Sequence, residues 1–316
     1  MKKVNFGMAF SKEFAGNDPL SHIVTKLPVY LELLELCRKM GWDSYVFTRL
    51  TYMEGGIFKG SWRYDNGKFE VVTQPVKADL VYDRTGGINF PPEDGGKTIW
   101  VNRRDFKILA WDKWMGYQSL GKYMPQTLLV ENEKELPEVV AKIKTDWVVL
   151  KPYNGLKGLG IFIGPKNEAK HFKFDEKYSK YIAQEFVDTS GGIPGVTGGM
   201  HDLRVAIVNG KIAWSHFRVP KEGTFLANAA QGGNLTELNP GLIPDNIKEI
   251  AMEVSGRFYK NYDNPIYSLD FGVGKDGKPM IFEINDQIGF PKPDMKNKDN
   301  FLNGIVINFK GKLATK

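Results

Sequence analysis

The chain has 316 residues, enough for about two or three domains. Its composition, 42% hydrophobic and 25% charged, is that of a globular protein and excludes disordered, fibrous and collagen-like chains. No stretch approaches the roughly 18 consecutive apolar residues of a membrane span. Asn5, Ser11, Lys12 and Glu13 interrupt any signal-like core behind the basic Met1-Lys2-Lys3, so a cytoplasmic protein with no membrane partner is expected. The excess of 43 Lys and Arg over 37 Asp and Glu is spread along the chain. With no basic stripe or tail, a nucleic-acid partner is not expected, and anionic small molecules suit the charge better. The single cysteine, Cys37, excludes an internal disulfide and sits in a leucine-rich run that reads as a buried helix face.

In chain order, Val4, Phe6, Met8 and Phe10 alternate as in a half-buried strand. Pro28 then opens an amphipathic helix with Tyr30, Leu33, Leu34 and Cys37 on one side, closing at Gly41. Tyr45-Val46-Phe47 reads as a strand, a hairpin turns at Asp65-Asn66-Gly67, and Ala78 to Tyr82 is another strand. This strand–helix–strand beginning predicts a small α/β domain of about 100 residues. Helices are predicted over 105–120 and 133–144, with a strand at Thr127-Leu128-Leu129-Val130 between them. Strands follow at 147–151, 160–163 and 181–187. Two more hairpins pair 203–208 with 211–217 through Asn209-Gly210, and 266–273 with 279–284 through Lys275-Asp276-Gly277. A helix over 243–259 separates them, and the whole indicates an α+β region behind the α/β start.

The most informative segment runs from Val148 to Ile161 and includes Lys151-Pro152-Tyr153-Asn154-Gly155-Leu156-Lys157-Gly158-Leu159-Gly160. A lysine at the end of a buried strand offers a point charge to phosphate, and glycines let backbone N–H groups approach the same oxygens. It is not a Walker A loop, since no Gly-Lys-Ser/Thr opens a helix, nor a dinucleotide fingerprint, since the loop leads into a strand. An ordinary glycine-rich hairpin with a solvated lysine would share these residues. A second pointer is Asp270 opposite Glu283 and Asn285, which point to one face of a hairpin. Two carboxylates and an amide oxygen form a hard donor set suited to magnesium, which takes its other ligands from water and phosphates. A solvated polar face is the competing reading, opposed by the apolar alternation of Leu269, Phe271, Phe282 and Ile284. Asp270-Phe271-Gly272 spells a protein-kinase metal motif, but no kinase catalytic loop precedes it.

Taken in order, Asp112-Lys113, Val149-Leu150-Lys151-Pro152 with its glycine loop, Ala183-Gln184-Glu185-Phe186-Val187, Asp202-Leu203-Arg204-Val205, Arg218, Asn228, Gly232-Gly233, Asp270 and Glu283-Ile284-Asn285-Asp286 form a series. The series resembles the ATP-grasp superfamily, in its glutathione-synthetase-like branch of carboxylate–amine ligases, over roughly residues 100–290. It is also similar to spore-coat-associated ATP-grasp proteins. The resemblance implies an α+β ATP-grasp fold preceded by a small α/β domain. The partition expected is 1–100, 101–187 for the lid and central subdomain, and 188–316 for the metal- and substrate-binding subdomain.

The resemblance further implies that Lys113 and Lys151 hold ATP phosphates under a mobile loop containing Gly155, Lys157, Gly158 and Gly160. Gln184, Glu185, Phe186 and Val187 would form the adenine hinge, with Glu185 or Asp188 near the adenine amine or ribose. Asp270, Glu283 and Asn285 would bind magnesium, and Arg204, Arg218 and Asn228 would face the transferred phosphate or acyl-phosphate. The implied activity is ATP-dependent amide formation between a carboxylate and an amine, on an amino acid or peptide. A small-molecule kinase on the same fold and a non-catalytic nucleotide-binding protein are the alternatives. Beyond the resemblance, the glycine-rich segment from Ser190 to Met200 reads as a substrate-facing flexible loop or a surface insertion, and Arg84 could be offered to a carboxylate from a strand end. His22, His171, His201 and His216 show no metal spacing and are expected to be structural or solvated.

Overall fold

Three β-sheets organise the molecule in the computed structural model, which describes residues 3–12, 16, 18–91, 97–156, 158–225 and 234–315. The first sheet holds β1 (Asn5–Phe10), β2 (Asp43–Thr48), β3 (Ile57–Asp65), β4 (Lys68–Lys77), β5 (Leu80–Asp83) and β6 (Ile99–Val101), in the order β4-β3-β2-β1-β5-β6. Strands β2, β1, β5 and β6 are parallel, and the β3–β4 hairpin is added antiparallel at one edge. Helix α1 (Leu27–Lys39) crosses from β1 to β2, with a proline in its first turn, Arg38 and Lys39 in its last, and Gly41 at φ +82° just beyond. Strand β1 is buried on both faces rather than half-buried: Phe6, Met8 and Phe10 enter one core and Ala9 the other. Parallel strands covered on both sides lose the polar alternation of an exposed sheet.

Helices α2 (Arg104–Trp111) and α3 (Lys113–Leu120) replace the single helix expected over 105–120. The break falls at Asp112, whose carboxylate accepts from the backbone N–H of Trp114 at 2.9 Å and of Met115 at 3.0 Å. An aspartate is more stable capping a helix than inside one, and this cap restarts the helix. The second sheet, β7-β10-β8-β9, is antiparallel and consists of β7 (Thr127–Val130), β8 (Trp147–Pro152), β9 (Phe162–Pro165) and β10 (Tyr181–Glu185). Helices α4 (Leu136–Lys142) and α5 (Lys166–Ala169) cover it. Strand β9 begins two residues later than expected, and β10 ends two residues earlier.

The third sheet has the order β13-β12-β11-β14-β15, from β11 (Asp202–Val208), β12 (Lys211–Val219), β13 (Asn234–Leu238), β14 (Tyr267–Val273) and β15 (Pro279–Asn285). Its β11–β12 turn places Asn209 and Gly210 at φ +54° and +67°, and the β3–β4 turn places Asn66 and Gly67 at +46° and +83°. Both Asn-Gly pairs thus adopt the left-handed conformation such two-residue hairpins require. Helix α6 (Asp245–Asn261) packs on this sheet. Helix α7 (Lys298–Ala314), which sequence periodicity did not reveal, returns to the first sheet, burying Phe301, Leu302, Ile305 and Phe309 with Phe6 and Leu33. Helix α2 sends Phe106, Leu109 and Ala110 into the core of the third sheet. The partition at residues 100 and 187 therefore stays a proposal about strands, because α2 and α7 cross it. Among the described residues, no helix is long and apolar enough to cross a membrane.

Candidate active site

The strands that carry the sequence motifs converge on one cleft of about 590 Å³. Lys151, near the end of β8, reaches Gln184 on the neighbouring β10, its Nζ donating to Oε1 at 2.8 Å. Gln184 in turn donates to Thr127 Oγ1 at 2.8 Å, so the side chain that orients the lysine is itself held. Burial pulls the Lys151 ammonium down to about 8, with Lys113 adding to the effect and Glu283 and Asp270 opposing it. Lys113, the first residue of α3, donates to the Gly155 carbonyl at 2.7 Å and pairs with Glu283 at 3.0 Å. Both lysines therefore sit in the cleft, and one of them ties the start of the glycine loop to the third sheet.

Gly155, Gly158 and Gly160 all belong to this loop. Gly158 and Gly160 have φ of +75° and +71°, conformations that admit few other residues. Leu156 and Leu159 lie at the mouth of the cleft, and Leu156 reaches across to Gly86 beyond the end of β5. Lys157 lies outside the described residues, as do Asn228 and Gly232-Gly233. Gln184, Glu185, Phe186 and Val187 all line the cleft. The Glu185 carboxylate accepts from Gln126 N–H at 2.9 Å. Asp188 instead pairs with Lys275 at 2.7 Å and is not among the lining residues, so of the two acids only Glu185 lines the cleft.

On the third sheet, Arg204 makes a bidentate pair with Asp270, both bonds at 2.6 Å, and Arg218 makes one with Asp202 at the same distances. Arg218 also reaches Asp270 at 3.0 Å, and Asn285 Nδ2 donates to Asp270 at 3.2 Å. Both arginines line the cleft, each already paired with a carboxylate. Burial alone would raise the Asp270 carboxyl, but Arg204 and Arg218 hold it well below the usual range. Asp202 must share Arg218 with Asp270, and burial pushes it up to about 6.

Asp270 is the register partner of Glu283, and Asn285 follows two residues on. A bulge between Asp270 and Phe271 leaves Phe282 as an extra residue of β15. Phe282 therefore leaves the apolar face assigned to it from the alternation. Its ring covers Gly272, where an added Cβ would come within 2.1 Å of it, and lies 6.0 Å from Lys151 Nζ. No group of three or more His, Cys, Asp or Glu side chains suited to a metal occurs among the described residues. The donor set is Asp270, Glu283 and the Asn285 amide, all in the cleft, and such an oxygen set fits magnesium that takes further ligands from phosphate.

Among the lining residues, Thr189 and Gln287 carried no sequence signal, and His201 was expected to be structural or solvated. His201 is structural: its Nε2 accepts from Val273 N–H at 3.2 Å, and its Nδ1 lies 3.0 Å from the Gly199 carbonyl. His216 is buried against Trp214 and held well below its ordinary value by burial and by Arg204 and Arg218. The segment from Ser190 to Met200, read as a substrate-facing flexible loop or a surface insertion, brings Met200 to the cleft and anchors its middle in the core. Ile193 is buried in the third sheet's core and bridges Thr197.

The family described as a RimK-like ATP-grasp domain matches residues 110–307. A probable alpha-L-glutamate ligase of Haemophilus influenzae is 22% identical over 202 residues, and the match covers 62% of this chain and 62% of that relative's length. A probable alpha-L-glutamate ligase of Legionella pneumophila is 24% identical over 244 residues, covering 75% of each. Among solved structures, D-alanyl-alanine synthetase A from Vibrio cholerae aligns with a TM-score of 0.64 at 13% identity, covering 99% of this chain and 100% of its own. The ATP-grasp ligase PsnB complexed with a minimal precursor gives 0.60 at 13% identity, covering 97% and 100%. These alignments establish the ATP-grasp fold with a small domain in front of it. With the family match spanning well over half of its length, the chain belongs to the RimK-like ATP-grasp domain family.

Proposed function

We propose that this chain is an ATP-dependent carboxylate–amine ligase acting on an amino acid or peptide in the cytoplasm. The observation that carries the reading is the convergence of Lys113, Lys151 and the glycine loop with Asp270, Glu283, Asn285, Arg204 and Arg218 in one cleft. Two anions, a carboxylate and a triphosphate, must meet for the reaction to begin, and this cleft supplies the cations they need.

In this reading Gln184 to Val187 receive adenine, while Lys151, Lys113 and the loop's N–H groups take the phosphates. Asp270, Glu283 and Asn285 would hold magnesium, which supplies charge neutralisation to the phosphate oxygens. A substrate carboxylate oxygen forms a bond to the γ-phosphorus as ADP leaves. The amine then attacks the acyl carbon and phosphate departs, so acid, amine and ATP give amide, ADP and phosphate. Arg204 and Arg218 stabilise the charge that develops on the transferred group. Leu156 and Leu159 at the mouth keep water from the acyl-phosphate.

The test is ADP release with magnesium-ATP across paired carboxylates and amines, L-glutamate included because the relatives' names suggest it. ADP release that requires both partners, with a product lighter by one water than their sum, is the expected result. Release without an amine, with a phosphorylated product, would assign a kinase instead.

A further inference from the structure

Arg84 follows the last residue of β5 and lines the cleft together with Asn285 and Gln287. Its guanidinium is fixed from several directions. Nη2 donates to the Ile288 carbonyl at 2.6 Å, Nη1 to the Tyr82 hydroxyl at 3.1 Å, and the group lies 5.1 Å from the ring centres of both Tyr82 and Phe290. Nε is buried and, among the described residues, has no hydrogen-bond partner. Among the described residues, no carboxylate forms an ion pair with Arg84. Asp83 and Asp286 instead share Lys107, at 3.1 and 2.9 Å, so at most one net negative charge is left to act on Arg84 from a distance.

Lys26, at the start of α1, deepens the imbalance. Its Nζ lies at Gly289, 3.4 Å from where a Cβ would stand there. Burial, and then the charges of Arg84, Arg204 and Lys292, pull its ammonium down to about 8. Among the described residues neither cation touches a carboxylate, and a cation held this firmly with only a distant counter-charge gains stability when a ligand brings a carboxylate into contact. Arg204 and Arg218, by contrast, are already matched by Asp270 and Asp202. The two sets of cations therefore have different tasks: one surrounds the reacting centre, and the other waits for a further anion.

We infer that Arg84, backed by Lys26, binds a non-reacting carboxylate of the substrate, so that the enzyme selects a partner carrying one negative charge beyond the group that reacts. The inference rests on the ligase reading of the same cleft. The planar guanidinium fork suits a carboxylate, and its fixed position prepays the ordering cost of recognition.

The experiment is calorimetric titration of the full chain saturated with magnesium-ADP, using probe pairs that differ by one charge. L-glutamate against L-glutamine tests the amine partner, and glutarate against its monoamide tests the acid. The expected result is at least tenfold tighter binding of the more charged member of one pair, which also shows which partner bears the carboxylate. Arg84→Gln should abolish that preference while magnesium-ADP binding stays within about twofold. Lys26→Gln, at a half-buried position that belongs to no apolar core, should reduce the preference severalfold and serves if the Arg84 variant does not fold. Equal binding within both pairs, binding of none of the four probes, or an unchanged preference in the folded variants overturns the inference. Failure to bind magnesium-ADP would instead remove the ligase reading beneath it.

Discussion

Lys151 and Glu283 enter the same cleft from different sheets, and each has a partner that orients it: Gln184 for the lysine, Lys113 for the glutamate. Lys151→Ala and Glu283→Ala should each lower ADP formation by at least about a hundredfold, the scale of losing one preorganised charge. Their thermal unfolding should remain cooperative, and wild-type rates in both would remove the assignment. The same lysine sets a pH dependence. Its pKa lies near 8 in the free protein, below the ordinary 10.5, because burial disfavours the charged form. A bound phosphate favours that form and raises the value, so nucleotide binding should take up a proton, and affinity should fall as pH rises through about 8. Calorimetry in two buffers of different ionisation enthalpy would measure the uptake; no buffer dependence between about pH 7 and 9 contradicts it.

Helix α3 owes its start to one side chain. Asp112 satisfies two N–H groups of the first turn, and Lys113 projects from the residue after it. Asp112→Ala should cost about 1 kcal/mol of stability in denaturant unfolding, the usual cost of losing such a cap. Because the cap also positions Lys113, nucleotide affinity should fall more than the stability change alone explains; an unchanged dissociation constant would show the lysine finds its place without it. Strand β15 teaches a related lesson. Strict alternation puts Phe282 beside Ile284 on the apolar face, but the bulge turns it towards Lys151, and the bare backbone at Gly272 leaves room for its ring. Alternation reads the face of a regular strand and has no means of announcing an inserted residue.

The sheets are joined through a buried charge as well as through apolar cores. Lys107 on α2 is only 4% exposed and binds Asp83 at the end of β5, Asp286 just past β15, and the Thr85 carbonyl at 3.0 Å. This lysine connects the first sheet to the third at the rim of the cleft, a few residues from Arg84 and Asn285. Lys107→Met fills the same space but leaves two carboxylates without a cation. It should destabilise the protein by about 3–5 kcal/mol, measurable as a shifted urea midpoint, and a change below about 1 kcal/mol would show the acids find other partners. Helix α7 adds the apolar part, carrying the C-terminal end of the chain back onto the first sheet with Phe301 and Phe309.

Local chemistry was enough to read the Asn-Gly hairpins, the α1 boundaries, the lysine-glycine loop and the paired acids of β14 and β15. Each of these depends on residues near in sequence: left-handed turn positions, helix caps, or a period of two. The order of the motifs was also enough to indicate the family. The tertiary structure alone decided that Arg204 and Arg218 are paired with acids while, among the described residues, Arg84 and Lys26 contact none, because charge balance depends on groups as far apart in sequence as Arg204 and Asp270. It also decided where α7 packs and which way Phe282 points. Those outcomes are set by neighbours that only folding brings together, and no spacing along the chain encodes them.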